Sequence, residues 1–151
     1  MEIDLLNADG LDDSLLGIQP KPIKLIIKKS AIHGLGLFAG TPIKKGDILM
    51  PMIRMNDDEL IAKESEPQHY VNHSLSKNAT PFMIGNTIYI CASSDIHKGD
   101  EILLNYNTIA KIYITHNAFK GYVGKIINGV KKKNRTEGFT YTLPCVNVNN
   151  I

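Results

Sequence analysis

Apolar and charged side chains alternate from Ile23 to Lys29, where Ile23, Leu25 and Ile27 interleave with Lys24 and Lys28. That period of two predicts a strand with one buried face. Ser30 to Ala39 follows as a glycine-punctuated turn, through Gly34 and Gly36, that leads back into Leu37, Phe38 and Ala39. Lys45-Gly46-Asp47 reads as a hairpin turn before a strand near Ile48 to Met55. Asn56-Asp57-Asp58-Glu59 ahead of Leu60, Ile61 and Ala62 predicts a short N-capped helix, acids in its first turn, that ends before Pro67.

Farther along, Pro81 to Ile84 and Thr87 to Ala92 flank Gly85-Asn86 and predict a second hairpin. His97-Lys98-Gly99-Asp100 repeats the turn chemistry of Lys44-Lys45-Gly46-Asp47, and Glu101 to Tyr106 continues as a strand. Ile112 to Thr115 and Phe139 to Leu143 are candidates for further strands, while Gly121 to Asn128 fits no single pattern. At the start, residues 1–22 mix acids with apolar residues and close on Pro20-Lys21-Pro22, where proline opposes a continuing helix; they read as a loosely packed leader. Helix-period stripes are scarce and short β-rich runs recur, so the expected fold is mainly β.

With 151 residues, 43% of them hydrophobic, the chain suits one domain around a single core. A net charge of +2 does not argue for nucleic-acid binding, but the charge is uneven. Glu2, Asp4, Asp9, Asp12 and Asp13 stand in the first twenty residues without a base. After Thr108, Lys111, Lys120, Lys125, Lys131, Lys132, Lys133 and Arg135 face Glu137 alone. Such a basic segment suits an acidic partner, yet Lys131 to Arg135 reads first as a solvated surface loop, and no specific nucleic-acid partner is expected.

Cys91 and Cys145 lack the spacing of a zinc site or a disulfide framework and are expected as free thiols. The acidic start Met1-Glu2-Ile3-Asp4 is unlike a secretion signal, and no apolar run could span a bilayer. A soluble, intracellular protein without a membrane partner is therefore expected.

Three segments carry candidate chemistry. His33-Gly34-Leu35-Gly36-Leu37-Phe38-Ala39 holds a Gly-X-Gly turn, but it lacks the third glycine and the helix of a dinucleotide fingerprint. Tyr70-Val71-Asn72-His73-Ser74 with Asn78 contains two glycosylation sequons, which without a secretion signal point elsewhere. A metal site at His73 is not expected. Ile96 to Tyr106 is by itself a turn and a strand that ends in a tyrosine, an object more often used for packing than for catalysis.

In this order and spacing the three segments resemble the SET family of protein-lysine methyltransferases, with Gly34-Leu35-Gly36-Leu37-Phe38-Ala39, Asn72-His73-Ser74 with Asn78, and Gly99-Asp100-Glu101-Ile102 with Asn105-Tyr106 as the shared motifs. The resemblance covers residues 23–108, flanked by the leader at 1–22 and a basic C-terminal segment at 109–151 that packs on the domain. It implies a SET fold of small curved sheets, with one or two short helices and a knot-like arrangement in which the Asn72 segment passes beneath the strand ending at Tyr106.

The resemblance also implies an enzyme that moves a methyl group from S-adenosylmethionine to a lysine of a protein partner. His33, Gly34, Leu35, Gly36, Asn72, His73 and Tyr106 would bind the cofactor, Tyr106 would also be catalytic, and Tyr70 and Leu104 would line the lysine channel. No metal is implied: a Cys-rich tail is missing, and with it the zinc-bound post-SET module. The segment between Met55 and Tyr70, which shapes substrate binding in many relatives, is short. Leu75 and Lys77 replace the family's usual Cys and Pro, and Leu104 stands where many relatives carry Phe or Tyr. Product degree, substrate identity and self-association, homo-oligomer or monomer, are left open. The alternative is a SET-fold binding module without turnover that acts through its basic C-terminal segment.

Overall fold

The computed structural model describes residues 2–4, 20–56, 59–62, 66–108 and 135–150. Among the described residues ten strands build the architecture: β1 Glu2–Asp4, β2 Lys21–Lys29, β3 Leu35–Ala39, β4 Asp47–Asn56, β5 Glu59–Ala62, β6 Asn72–His73, β7 Ala79–Ile84, β8 Thr87–Ala92, β9 Leu103–Leu104 and β10 Thr140–Asn147. They form one sheet in the order β3-β2-β10-β4-β8-β7-β9-β6, with β1 paired to β10 and β5 to β4. The helical elements are the 3-10 turns Glu66–Tyr70 and Val148–Asn150, and residues 106–108 start a further helical turn. The fold is mainly β, curved, and consistent with the expected SET class.

Alternation decides the faces. In β2, Ile23, Leu25 and Ile27 are buried while Lys24 and Lys28 are exposed. β8 is buried along its whole length because both faces are covered: Ile88, Ile90 and Ala92 join the main core, and Tyr89 and Cys91 join a smaller cluster with Ile48, Ile84 and Val146. β4 shifts register against β8 between Ile48 and Met50 and again between Pro51 and Ile53, and bulges of this kind bend a strand and curve its sheet.

The C-terminal strand is central. β10 runs antiparallel to β2 over Thr140 to Cys145 and antiparallel to β4 at Val146 and Asn147. Pro144 lies opposite Pro22, between the stretch of β10 that pairs with β1 and the stretch that pairs with β4, so a residue without an N–H falls where the neighbouring strand changes.

The two Lys-Gly-Asp turns are structural counterparts. Gly46 and Gly99 take φ of 91° and 93°, which glycine adopts without a Cβ penalty. Asp47 Oδ2 accepts from the Lys44 N–H at 2.9 Å, and Asp100 Oδ2 accepts from the His97 N–H at 3.2 Å. Ile43 and Ile96 exchange both backbone hydrogen bonds, at 2.9 and 2.8 Å. The correspondence extends back to Ala39 and Ala92, whose carbonyls accept from Gly99 and Gly46 respectively. The two copies differ in burial: Asp47 is fully buried and held by Lys21 Nζ at 3.3 Å and Asn147 Nδ2 at 2.9 Å, whereas Asp100 is exposed beside His97.

Two expectations are corrected. Glu59–Ala62 is a strand antiparallel to β4, not a capped helix, so pairing with the edge of β4 overrides the local capping signal. The expected strand from Glu101 to Tyr106 shortens to Leu103–Leu104, because Asn105 caps a turn: its Oδ1 accepts from the Asn107 N–H at 3.0 Å and its carbonyl from the Thr108 N–H at 3.1 Å. Most of the leader, residues 5–19, and the candidate segments 112–115 and 121–128 lie outside the described residues. Cys91 and Cys145 are free and buried.

Candidate functional site

Two short parallel ladders bring the second and third sequence segments together. β6 pairs with β9, Asn72 opposite Leu103 and His73 opposite Leu104, and Ala79 of β7 lies opposite Leu104. Asn78 fastens the junction: its Nδ2 donates to the Glu101 carbonyl at 2.8 Å and its Oδ1 accepts from the Leu103 N–H at 2.8 Å. One amide side chain thus completes a ladder that backbone pairing alone leaves short.

The chain then delivers Tyr106 beside His73. The Tyr106 N–H donates to His73 Nδ1 at 3.0 Å, which in the neutral imidazole puts the proton on Nε2, and the two rings tilt against each other with centroids 5.0 Å apart. The Tyr106 hydroxyl donates to the Val71 carbonyl at 2.5 Å. Burial pushes the phenol up to about 12, so it stays neutral at physiological pH.

The glycine turn is fastened from the other side. Ser30 Oγ accepts from the N–H groups of Ile32 at 2.9 Å and His33 at 3.2 Å, and the Ser30 N–H donates to the Gly34 carbonyl at 2.8 Å. Gly34 has φ of 46°, a left-handed conformation that suits glycine. Asn72 Nδ2 reaches back to the carbonyls of His33 at 3.0 Å and Leu35 at 3.3 Å.

Between these walls opens a cleft of about 350 Å³, within the range of roughly 300–1,000 Å³ usual for small-molecule sites. The turn contributes Ile32, His33, Gly34 and Leu35 to its lining, the central motif contributes His69, Tyr70, Asn72 and His73, and Tyr106 and Arg135 complete it. Among the described residues no group of three His, Cys, Asp or Glu side chains could hold a metal ion.

Of the residues singled out in the sequence, His33, Gly34, Leu35, Tyr70, Asn72, His73 and Tyr106 therefore meet in one place. Gly36 and Leu104 do not line the cleft. Leu104 is buried in the main core, and the space above Gly36 is filled by the Glu101 carboxylate, with Glu101 Cδ 2.9 Å from where a Cβ would stand. Phe139 and Tyr141 pack edge to face in the core, their ring centres 4.9 Å apart.

Sequence reasoning missed the roles of Ser30, Glu101 and Arg135. The Arg135 N–H donates to the Tyr70 hydroxyl at 2.8 Å and its guanidinium lies 4.6 Å from the Phe139 ring centre, which places the C-terminal segment against the cleft. No local signal marks that placement, because 65 residues separate the pair. Glu101 was legible as part of a motif, but not as a partner for Ser30.

Residues 56–107 match the SET domain family model, a span that includes Asn72, His73 and Tyr106 and ends before Arg135, while Gly34 and Leu35 lie upstream of it. No curated protein matches the chain at a significant level. Among solved structures, a candidate histone methyltransferase of Plasmodium falciparum is 28% identical over 55% of this chain and 92% of its own, with a TM-score of 0.43. The methyltransferase domain of human PR domain-containing protein 2 is 19% identical over 53% of this chain and 74% of its own, with a TM-score of 0.44. A humanized mutant of the Chaetomium thermophilum Polycomb Repressive Complex 2 is 19% identical with a TM-score of 0.45, and the match covers 54% of this chain but 14% of that one.

Proposed function

We propose that this chain, which carries a SET domain match at residues 56–107, transfers a methyl group from S-adenosylmethionine to a lysine side chain of a protein substrate. The observation that carries the reading is the convergence of the Gly34 turn, the Asn72-His73 strand and Tyr106 on one cleft, although 72 positions separate Gly34 from Tyr106 in the sequence.

The cleft suits the cofactor in size and in polar character. Asn72 and His73 offer polar edges, Gly34 keeps one wall clear of a side chain, and Tyr70 and Tyr106 offer aromatic faces to a cation. When bound, S-adenosylmethionine supplies an electrophilic methyl on a positively charged sulfur. The chain's own task is to orient, to exclude water and to present a neutral amine. A lysine at pH 7 is about three units below its ordinary pKa, which costs roughly 4–5 kcal/mol unless its surroundings favour the free base. Tyr70, buried at the cleft wall, provides an apolar surface that disfavours the ammonium.

Tyr106 is the catalytic residue in this reading. Its hydrogen is committed to the Val71 carbonyl, so the phenol oxygen offers only lone pairs to the cleft, where they favour a transferring methyl through C–H to oxygen contacts.

The test is a labelled-methyl transfer assay on fractionated lysate followed by mass spectrometry of the modified site, with calorimetry of S-adenosylmethionine on the same preparation. Cofactor binding with a labelled lysine supports the reading. Absence of cofactor binding sinks it, and binding without transfer to any protein favours the binding module.

A further inference from the structure

Behind the cleft stands a carboxylate that does not line it. Glu101 Oε1 accepts from Ser30 Oγ at 2.9 Å and Oε2 accepts from Asn72 Nδ2 at 2.9 Å. We propose that Glu101 is a positioning residue that fixes which end of the Asn72 amide faces the cofactor, an assignment that rests on the methyltransferase reading above.

The hydrogen-bond directions leave one arrangement. Ser30 Oγ already accepts from the N–H groups of Ile32 and His33, so its own hydrogen must go to an acceptor, and Glu101 Oε1 is that acceptor. Around the Asn72 amide, the His33 carbonyl, the Leu35 carbonyl and Glu101 Oε2 all accept, so the atom among them is the nitrogen. Oδ1 is then the polar atom that Asn72 leaves for a ligand. An oxygen there accepts from an ammonium and repels a carboxylate, which orients the amino-acid end of S-adenosylmethionine.

Only a carboxylate satisfies both donors. A glutamine at 101 has one oxygen, and its amide nitrogen would confront either Asn72 Nδ2 or the Ser30 hydroxyl, donor against donor. Turning the Asn72 oxygen inward would relieve that clash but set it against the carbonyls of His33 and Leu35. Gly36 belongs to the same arrangement, since a Cβ there would collide with Glu101 Oε2 and stand 3.1 Å from Ser30 Cβ. The glycine gives room to this carboxylate.

The experiment compares the parent, Glu101→Gln and Ser30→Ala by calorimetry with S-adenosylmethionine and with 5′-methylthioadenosine, which lacks the amino-acid end. Thermal midpoints and the KM and kcat of methyl transfer are measured alongside. Glu101→Gln should weaken S-adenosylmethionine by about 5- to 150-fold, the factor that follows when one buried polar group is left unpaired. The nucleoside should bind nearly as it does to the parent, and the defect should appear in the cofactor KM more than in kcat. Ser30→Ala, which leaves Asn72 and Glu101 in place but also frees the Ile32 and His33 N–H groups, should give a smaller loss that still falls more heavily on S-adenosylmethionine than on the nucleoside, and it carries the test if Glu101→Gln does not fold. Equal losses for both ligands would make Glu101 merely structural and overturn the proposal, as would parental affinity in the variants. A parent that binds no cofactor would overturn the methyltransferase reading itself.

Discussion

Tyr106 illustrates how much one hydroxyl is asked to do. Its hydroxyl donates to Val71, its ring leans on His73, and the residue lines the cleft. Tyr106→Phe keeps the ring and the backbone bond to His73 but removes the oxygen. By analogy with loss of one preorganised polar group at a reacting centre, kcat should fall by about 100- to 1,000-fold, roughly 2.7–4 kcal/mol, with cofactor affinity much less affected. Single-turnover rates with calorimetry on one preparation check this; near-parental turnover removes Tyr106 from the mechanism. Asn72→Ala takes away a possible ligand contact and also the hydrogen bonds that anchor the Gly34 turn. It should therefore weaken cofactor binding more than His73→Ala does, and the reverse order in calorimetry would contradict this account.

Among the elements, β10 ties the sheet together through its ladders to β1, β2 and β4, and the sequence marks only Phe139 to Leu143 of this stretch as a strand. It lies between β2 and β4, and Tyr141, Leu143 and Cys145 pack into the main core. Leu143→Ala should destabilise the fold by about 2–5 kcal/mol, the range for deleting a buried leucine side chain, which a denaturant titration can measure. Truncation after Thr108 removes β10 and with it its ladders to β1, β2 and β4. The truncated chain should lose its cooperative thermal transition as well as methyl transfer. A truncated protein that melts cooperatively would show that the sheet closes without β10.

At the scale of the whole molecule, alkaline pH pulls in two directions. Turnover should rise with pH as more of the substrate lysine becomes neutral, and a flat profile from about pH 6.5 to 9.5 with intact protein would count against the proposed chemistry. Stability should move the other way. Burial raises Cys91 from 9.0 to about 11 and Cys145 from 9.0 to about 12, with the nearby Asp47 charge adding to both, and burial raises Tyr106 from 10.0 to about 12. Each group is neutral in the folded protein over a range where the unfolded chain has already lost the proton, so the unfolded state binds fewer protons and stability falls as pH rises. The contribution is complete below about pH 9 and is lost progressively toward pH 12. Equilibrium unfolding across pH 7.5–11 checks the sign, and a Cys91→Ala, Cys145→Ala double variant should flatten the slope.

Most residues of the cleft were marked only by the resemblance to the SET family; the sequence by itself determined the mainly β class, both Lys-Gly-Asp turns and the hairpin about Gly85-Asn86. These follow from short-range physics: a period of two selects a strand, and glycine in a turn marks a positive φ. Tertiary structure decided what depends on distant partners. Even a near partner can decide: the run from Asn56 to Glu59 looks like a helix cap, but β5 pairs back on β4 with Asn56 opposite Glu59, and strand pairing outweighs the capping preference. Glu101 reads as the start of a strand and as part of a motif until Ser30, 71 positions away, donates a hydrogen bond to it. Arg135 reads as the end of a basic run until β10 inserts between β2 and β4 and carries it to Tyr70. For Glu101 and Arg135 the deciding bond joins residues that only the folded sheet brings together, and no local pattern along the chain encodes that distance.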